Sequence, residues 1–207
     1  FWAVYFMKKH RQDPGEGATG PVSLEHEAFL VERARKGDKK AIAELYRLHV
    51  EAVYRYVLTR VRDESVAQDL TAQVFVGMLE GLPAYEFRGK RFLCWLYRIA
   101  CARTADYWRQ QHRRREVRLD ECWPTSHALP WELLEAEADW ATAINLLAQL
   151  SDDQQDVLIL RFVGEMSLVE VAETLAKTVG ATKALQHRAL VSLSRLLEKQ
   201  RDDGCNE

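Results

Sequence analysis

Apolar residues recur three and four positions apart along most of the chain, and strand-type alternation is almost absent, so the pattern predicts an all-α protein. A first helix is expected over about Leu24 to Lys36, stopped by Gly37. Asp38 is placed to cap a second, about Lys39 to Arg62, with Ile42, Leu45, Tyr46, Val53, Val57 and Val61 as its apolar stripe. Asp63 caps a third, about Glu64 to Glu80, which turns Val66, Leu70, Val74, Met78 and Leu79 inward and ends at Gly81 and Pro83. After the loop Ala84 to Lys90 a fourth runs about Arg91 to Arg114, with Phe92, Trp95, Leu96 and Ile99 on its core side.

Pro124 and Pro130 interrupt a stretch without periodicity, read as a linker. Four more helices follow, about Glu135 to Gln149, Asp152 to Val163, Leu168 to Ala176 and Val179 to Lys199. Ser151 with Gln154, and Ser167 with Glu170, fit capping boxes, and Met166 with Val171 can add a hydrophobic staple. The expected organisation is a disordered leader at 1–22, a helical domain at 23–114, a linker at 115–132, a second helical domain at 133–200 and a tail at 201–207. The chain opens on Phe1, its first apolar stretch is too short to span a membrane and lacks signal-peptide character, and Met7 is a candidate start.

The last two helices and the turn Ala176-Lys177-Thr178 have the layout of a helix-turn-helix, a DNA-reading motif. Packing through Thr182, Leu185, Ala189, Leu193 and Leu196 leaves Lys177, Thr178, Lys183, Ala184, His187 and Arg188 towards solvent, with Lys183, His187 and Arg188 as the reading face and Thr178 on a phosphate. The alternative is a helical hairpin with a solvated basic face. On the fourth helix, Tyr97, Arg98, Arg103, Tyr107, Trp108 and Arg109, followed by His112 to Arg115, interleave rings that stack on unpaired bases with cations that hold phosphates. The same residues could instead pack against the linker.

Composition changes this picture little. The 207 residues are 47% hydrophobic and 29% charged with a net charge of -2, so any nucleic-acid attraction is local, concentrated in the Arg-rich stretch 88–118. Cys94, Cys101, Cys122 and Cys205 form no CxxC pair and have no histidine at zinc-ligand spacing, so no metal site or disulfide framework is expected. The six histidines are scattered and HExxH, GxSxG and P-loop motifs are missing, which argues against an enzyme and leaves no catalytic or cofactor-binding residue to name. His49, between Tyr46 and Val53, reads as a packed or half-exposed histidine, not a base.

Four stretches together resemble an RNA polymerase sigma factor of the sigma-70 family, extracytoplasmic-function (ECF) group, over about Glu27 to Leu197: Asp69-Leu70-Thr71-Ala72-Gln73-Val74-Phe75, Phe92 to Ala100 with Asp106-Tyr107-Trp108-Arg109, Leu150 to Leu158, and Gly180 to Leu190. The resemblance implies two helical domains, of regions 2 and 4. It implies that Asp69, Leu70, Gln73 and Phe75 dock on the clamp helices of the polymerase largest subunit, with the beta subunit flap as a second core contact. Arg88, Lys90, Tyr97, Arg98, Arg103, Tyr107, Trp108, Arg109 and Arg113 would melt and read the proximal promoter element, and the helix-turn-helix the distal one. It also implies a cytoplasmic protein without catalytic chemistry, with promoter DNA, polymerase core and an anti-sigma factor as partners. This chain departs from the family pattern at Ala72, Ala102, Thr182 (usually Val) and Ala176 (often a turn Gly). The rival reading is a stand-alone helix-turn-helix regulator.

Overall fold

The computed structural model describes residues 23–117 and 143–203; the expected leader, nearly all of the linker, the start of the helix expected from Glu135 and the end of the tail lie outside the described residues. The first helix group contains α1 (Leu24–Arg35), α2 (Lys39–Val61), α3 (Glu64–Gly81), a short 3-10 turn (Leu82–Ala84) and α4 (Phe92–Val117). Helical residues 143–147 precede a second group of α5 (Asp152–Phe162), α6 (Leu168–Thr174) and α7 (Val179–Asp203).

The helix starts follow the expected local chemistry. Ser23 accepts a hydrogen bond from the His26 amide, Asp38 from Lys40 (2.9 Å) and Asp63 from Val66 (2.9 Å), each satisfying a donor that the first turn leaves without a helical partner. The Asp38 carboxyl also accepts from the Arg33 guanidinium, and these bonds hold its pKa below the usual value.

Leu45, Val53, Val57, Leu70, Val74, Met78, Phe92 and Leu96 are buried where α1–α4 pack on one another. Val157, Leu160, Val171, Leu185, Ala189 and Leu193 do the same for α5–α7. Two expected core positions face solvent instead: Tyr46, which lies edge-on to Phe75 at 4.7 Å, and Leu79. Each sits at the rim of its apolar stripe, on an edge that the neighbouring helices leave open.

The two groups share one contiguous core, with α4 against α6 and α2 against α5. At its centre is Arg60 of α2, only 2% exposed. Its guanidinium lies 2.8 Å from Asp156 and 3.1 Å from Asp152, and donates to the Gln155 side chain, all on α5. Tyr56 donates a further hydrogen bond to Asp156 at 2.9 Å. Burial pushes the Asp156 carboxyl up, although Arg60 and Tyr56 pull it back. Burying this charge therefore opposes closure, and the joint depends on Arg60 to offset it.

Candidate nucleic-acid interface

The helix-turn-helix is built by local rules. Ser167 and Glu170 close a capping box at the start of α6, with the Ser167 amide donating to Glu170 at 2.7 Å. After α6 the chain turns at Ala176, whose φ of 52° is left-handed. Glycine takes that conformation without the Cβ clash that alanine suffers. Ala176→Gly is therefore expected to stabilise the protein by about 1 kcal/mol, a gain of thermal midpoint measurable by calorimetry.

Thr178 then caps α7, its hydroxyl accepting from the Ala181 amide at 3.2 Å. The buried Thr182 hydroxyl donates to the Thr178 carbonyl at 3.0 Å, so this polar atom is satisfied within the helix. With Thr182, Leu185, Ala189 and Leu193 inward, Lys183, Ala184, His187 and Arg188 are all exposed on α7. Lys177 is half-buried and bound to Asp153 at 2.9 Å. Among the described residues, Lys183, His187 and Arg188 have no carboxylate partner, which leaves their charge available to phosphates and base edges.

The second surface runs along α4. Arg98, Arg109, His112 and Arg113 are exposed, and Arg103, Tyr107 and Trp108 half-exposed. The Tyr107 and Trp108 rings meet edge-on at 5.2 Å, and Arg109 pairs with Asp106 one turn away. Trp95, Arg98, Ile99, Ala102, Arg103 and Asp106 line a shallow depression, with Ala102 at its wall. In the preceding loop Arg88 is exposed and pairs with Glu86, while Lys90 pairs with Glu173 of α6.

Three expected contact residues are not presented. Tyr97 is 1% exposed, its ring 5.5 Å from Tyr56 and its hydroxyl donating to the Ala52 carbonyl. The second helix group covers that side of α4, with Gly164 close to the Tyr97 ring, so the helix has two buried faces where periodicity alone showed one. Leu70 and Phe75 are likewise buried in the first group, on the inner face of α3. The outer face of α3 instead presents Asp69, Ala72, Gln73, Val76 (53% exposed) and Leu79 (47%), spaced three or four apart. Sequence reasoning missed Val76 and counted Leu79 as core. The available signal was that α3 carries more apolar positions than one stripe can bury.

Arg91 joins the groups through Glu170, with Nε donating at 2.8 Å. Burial raises the Glu170 pKa, but the bonds from Arg91 and Ser167 outweigh it and bring the group from 4.5 down to about 2. A depressed carboxylate contributes stability that is full above its ordinary pKa and is lost as pH falls through the folded one. Glu170→Gln should therefore flatten the fall in thermal midpoint between pH 4.5 and about 2, measured by a melting series, while leaving the curve's shape above pH 5 unchanged.

The chain matches the family described as Sigma-70 region 2 over residues 45–114, and Sigma-70, region 4 over residues 146–195. It is 33% identical over 170 residues to the ECF RNA polymerase sigma factor BldN of Streptomyces coelicolor, covering 81% of this chain and 64% of BldN, so it spans less than two thirds of that relative. It is 37% identical over 172 residues to the ECF RNA polymerase sigma factor SigD of Mycobacterium tuberculosis, covering 79% of this chain and 80% of SigD. The structure of CnrH in complex with the cytosolic domain of CnrY shares its fold, with a TM-score of 0.65 and 23% identity over 84% of this chain and 97% of that one. The two matched regions hold the two basic surfaces described above, and the chain belongs to the ECF group of the sigma-70 family, the sigma factors that direct promoter recognition.

Proposed function

We propose that this chain binds bacterial RNA polymerase core and places it on promoters through two separate DNA contacts. The observation that carries this reading is the exposed face of α7, where Lys183, His187 and Arg188 stand, among the described residues, without carboxylate partners at the start of a helix whose opposite side is fixed by packing. That face would read the distal element as duplex in the major groove. Tyr107, Trp108, Arg98, Arg103, Arg109 and Arg113 on α4, with Arg88 and Lys90 in the loop before it, would hold unstacked bases of the proximal element. Binding only the open strand shifts the duplex towards melting, so promoter opening needs no covalent chemistry from this chain.

The stripe Ala72, Val76 and Leu79, flanked by Asp69 and Gln73, would be the polymerase dock, an α-helical apolar strip suited to the clamp helices of the largest subunit. The second group would carry the contact with the beta subunit flap. The domain limits proposed are 23–114 and 133–200. Among the described residues no helix is long and apolar enough to cross a membrane, and the proposed place of action is the cytoplasm, with an anti-sigma protein as a further partner. A stand-alone regulator would leave the α3 stripe and the aromatic-basic helix without a task.

Footprinting of the holoenzyme on a promoter tests the reading. Arg188→Ala should remove upstream protection, and Trp108→Ala should lose permanganate-reactive thymines while keeping upstream protection. Loss of both signals in each variant, or of neither, would contradict the division of labour.

A further inference from the structure

Helix α4 begins in an unusual local setting. The residues before Phe92 are Arg88-Gly89-Lys90-Arg91, and none offers the short side-chain oxygen that normally caps a first turn. Cations at a helix N-terminus also oppose its dipole. If the loop serves DNA phosphates, as the functional reading holds, those positions are reserved for positive charge and the cap has to come from elsewhere.

It comes from α1. Glu27, 65 residues earlier in the chain, is 5% exposed, and its Oε2 accepts from the Phe92 amide at 2.7 Å. Its other oxygen, Oε1, lies 3.2 Å from Nε2 of His49 on α2, which is 7% exposed. The His49 and Phe92 rings are 5.7 Å apart. A carboxylate is costly in a core unless its charge is offset, and here the amide, the positive end of α4 and the imidazole surround it. The other end of the loop is anchored by Tyr85, whose ring lies tilted 4.5 Å from Trp95 and edge-on 5.3 Å from Phe92. Between these two anchors Arg88 is exposed and Gly89 takes a φ of 67°.

We propose that Glu27, supported by His49, is a positioning residue for promoter opening: a remote cap that fixes the first turn of α4 and the basic loop before it. Neither residue reaches the DNA. Their effect is transmitted through the Phe92 amide, which sets where the loop cations and the outward residues of α4 point. This rests on the proximal-element reading of α4.

The test compares Glu27→Ala and Glu27→Gln in the full chain, with three readouts: hydrogen exchange of the first-turn amides of α4, affinity for polymerase core, and yield of permanganate-reactive open complexes. In E27A the first-turn amides should exchange faster and open complexes fall about fivefold, the weight of one lost cap, with core affinity within about twofold of wild type. E27Q keeps an acceptor and the side-chain volume, so it should recover most of both losses. Unchanged exchange in E27A, or unchanged open-complex yield, would overturn the proposal. So would a parallel fall in helix content and core affinity in both variants, because that marks a general structural role. If E27A does not fold, E27Q decides: it must show a smaller loss confined to the first turn and to opening, and wild-type behaviour in both readouts sinks the idea. Hydrogen exchange involves no DNA, so a wild-type protein that opens no promoter would fail the functional reading while leaving the cap itself measurable.

Discussion

Replacing Leu79 with aspartate is expected to weaken binding to polymerase core by at least about 30-fold while lowering stability by no more than about 1 kcal/mol. The first half of this expectation comes from what α3 does not bury. Leu79 and Val76 are 47% and 53% exposed, and with Ala72 they form an apolar strip on the outside of an otherwise well-packed helix. Covering the exposed half of such a side chain on docking is worth about 1 kcal/mol, and a carboxylate there adds the cost of an unpaired charge at the interface. The second half follows from the same exposure: the substitution breaks no cap or pair, and its cost is confined to lower helix propensity and a negative charge in the last turn of α3. Leu70, which the sequence motif places in the same dock, should behave in the opposite way. It is buried, so Leu70→Ala should cost about 2–5 kcal/mol of stability and reach core affinity only through the fold. Anisotropy titrations of labelled protein with core, paired with melting curves, separate the two. Wild-type affinity in L79D would contradict the dock.

The other large effect is expected at Arg60. Replacing it with methionine keeps most of the volume but strands Asp156, and breaking a buried ion pair in this way costs about 3–5 kcal/mol if nothing moves. Here something can move. Asp156 and Arg60 belong to different helix groups, so separating the groups returns the carboxylate to water without unfolding either one. Arg60→Met should therefore increase the radius of gyration in small-angle scattering with little change in helical circular dichroism. It should also release Lys90 from Glu173 and Arg91 from Glu170, two cations that closure holds against α6. Making both sides apolar, as in R60M with D156L, should restore compaction. A single variant that stays as compact as wild type would show that the joint does not rest on this pair.

The particular residues show where sequence reading was sufficient. Helix starts at Asp38, Asp63, Ser151 and Ser167 were legible because capping is local chemistry, carried by one side chain and the next three amides. The inward row Thr182, Leu185, Ala189 and Leu193 was legible because α7 packs on one side only. Tyr97 was read as a DNA contact because periodicity cannot show that a second helix group covers another face of α4. Leu70 and Phe75 were placed at the dock because a motif names a stretch of helix, not the side of it that faces out. The Arg60 cluster and the Glu27 cap were invisible for another reason: their partners lie 92–96 and 65 residues away in sequence, and no local pattern encodes such a meeting.

The measurement that bears most directly on the central claim is run-off transcription with purified bacterial core polymerase on fragmented genomic DNA from the source organism, with and without this protein. Discrete start sites are expected only when the protein is present, and should vanish with Leu79→Asp although that variant remains folded. If no new start sites arise, and the protein instead shifts duplex DNA without core, the two-contact mechanism and the α3 dock are both contradicted.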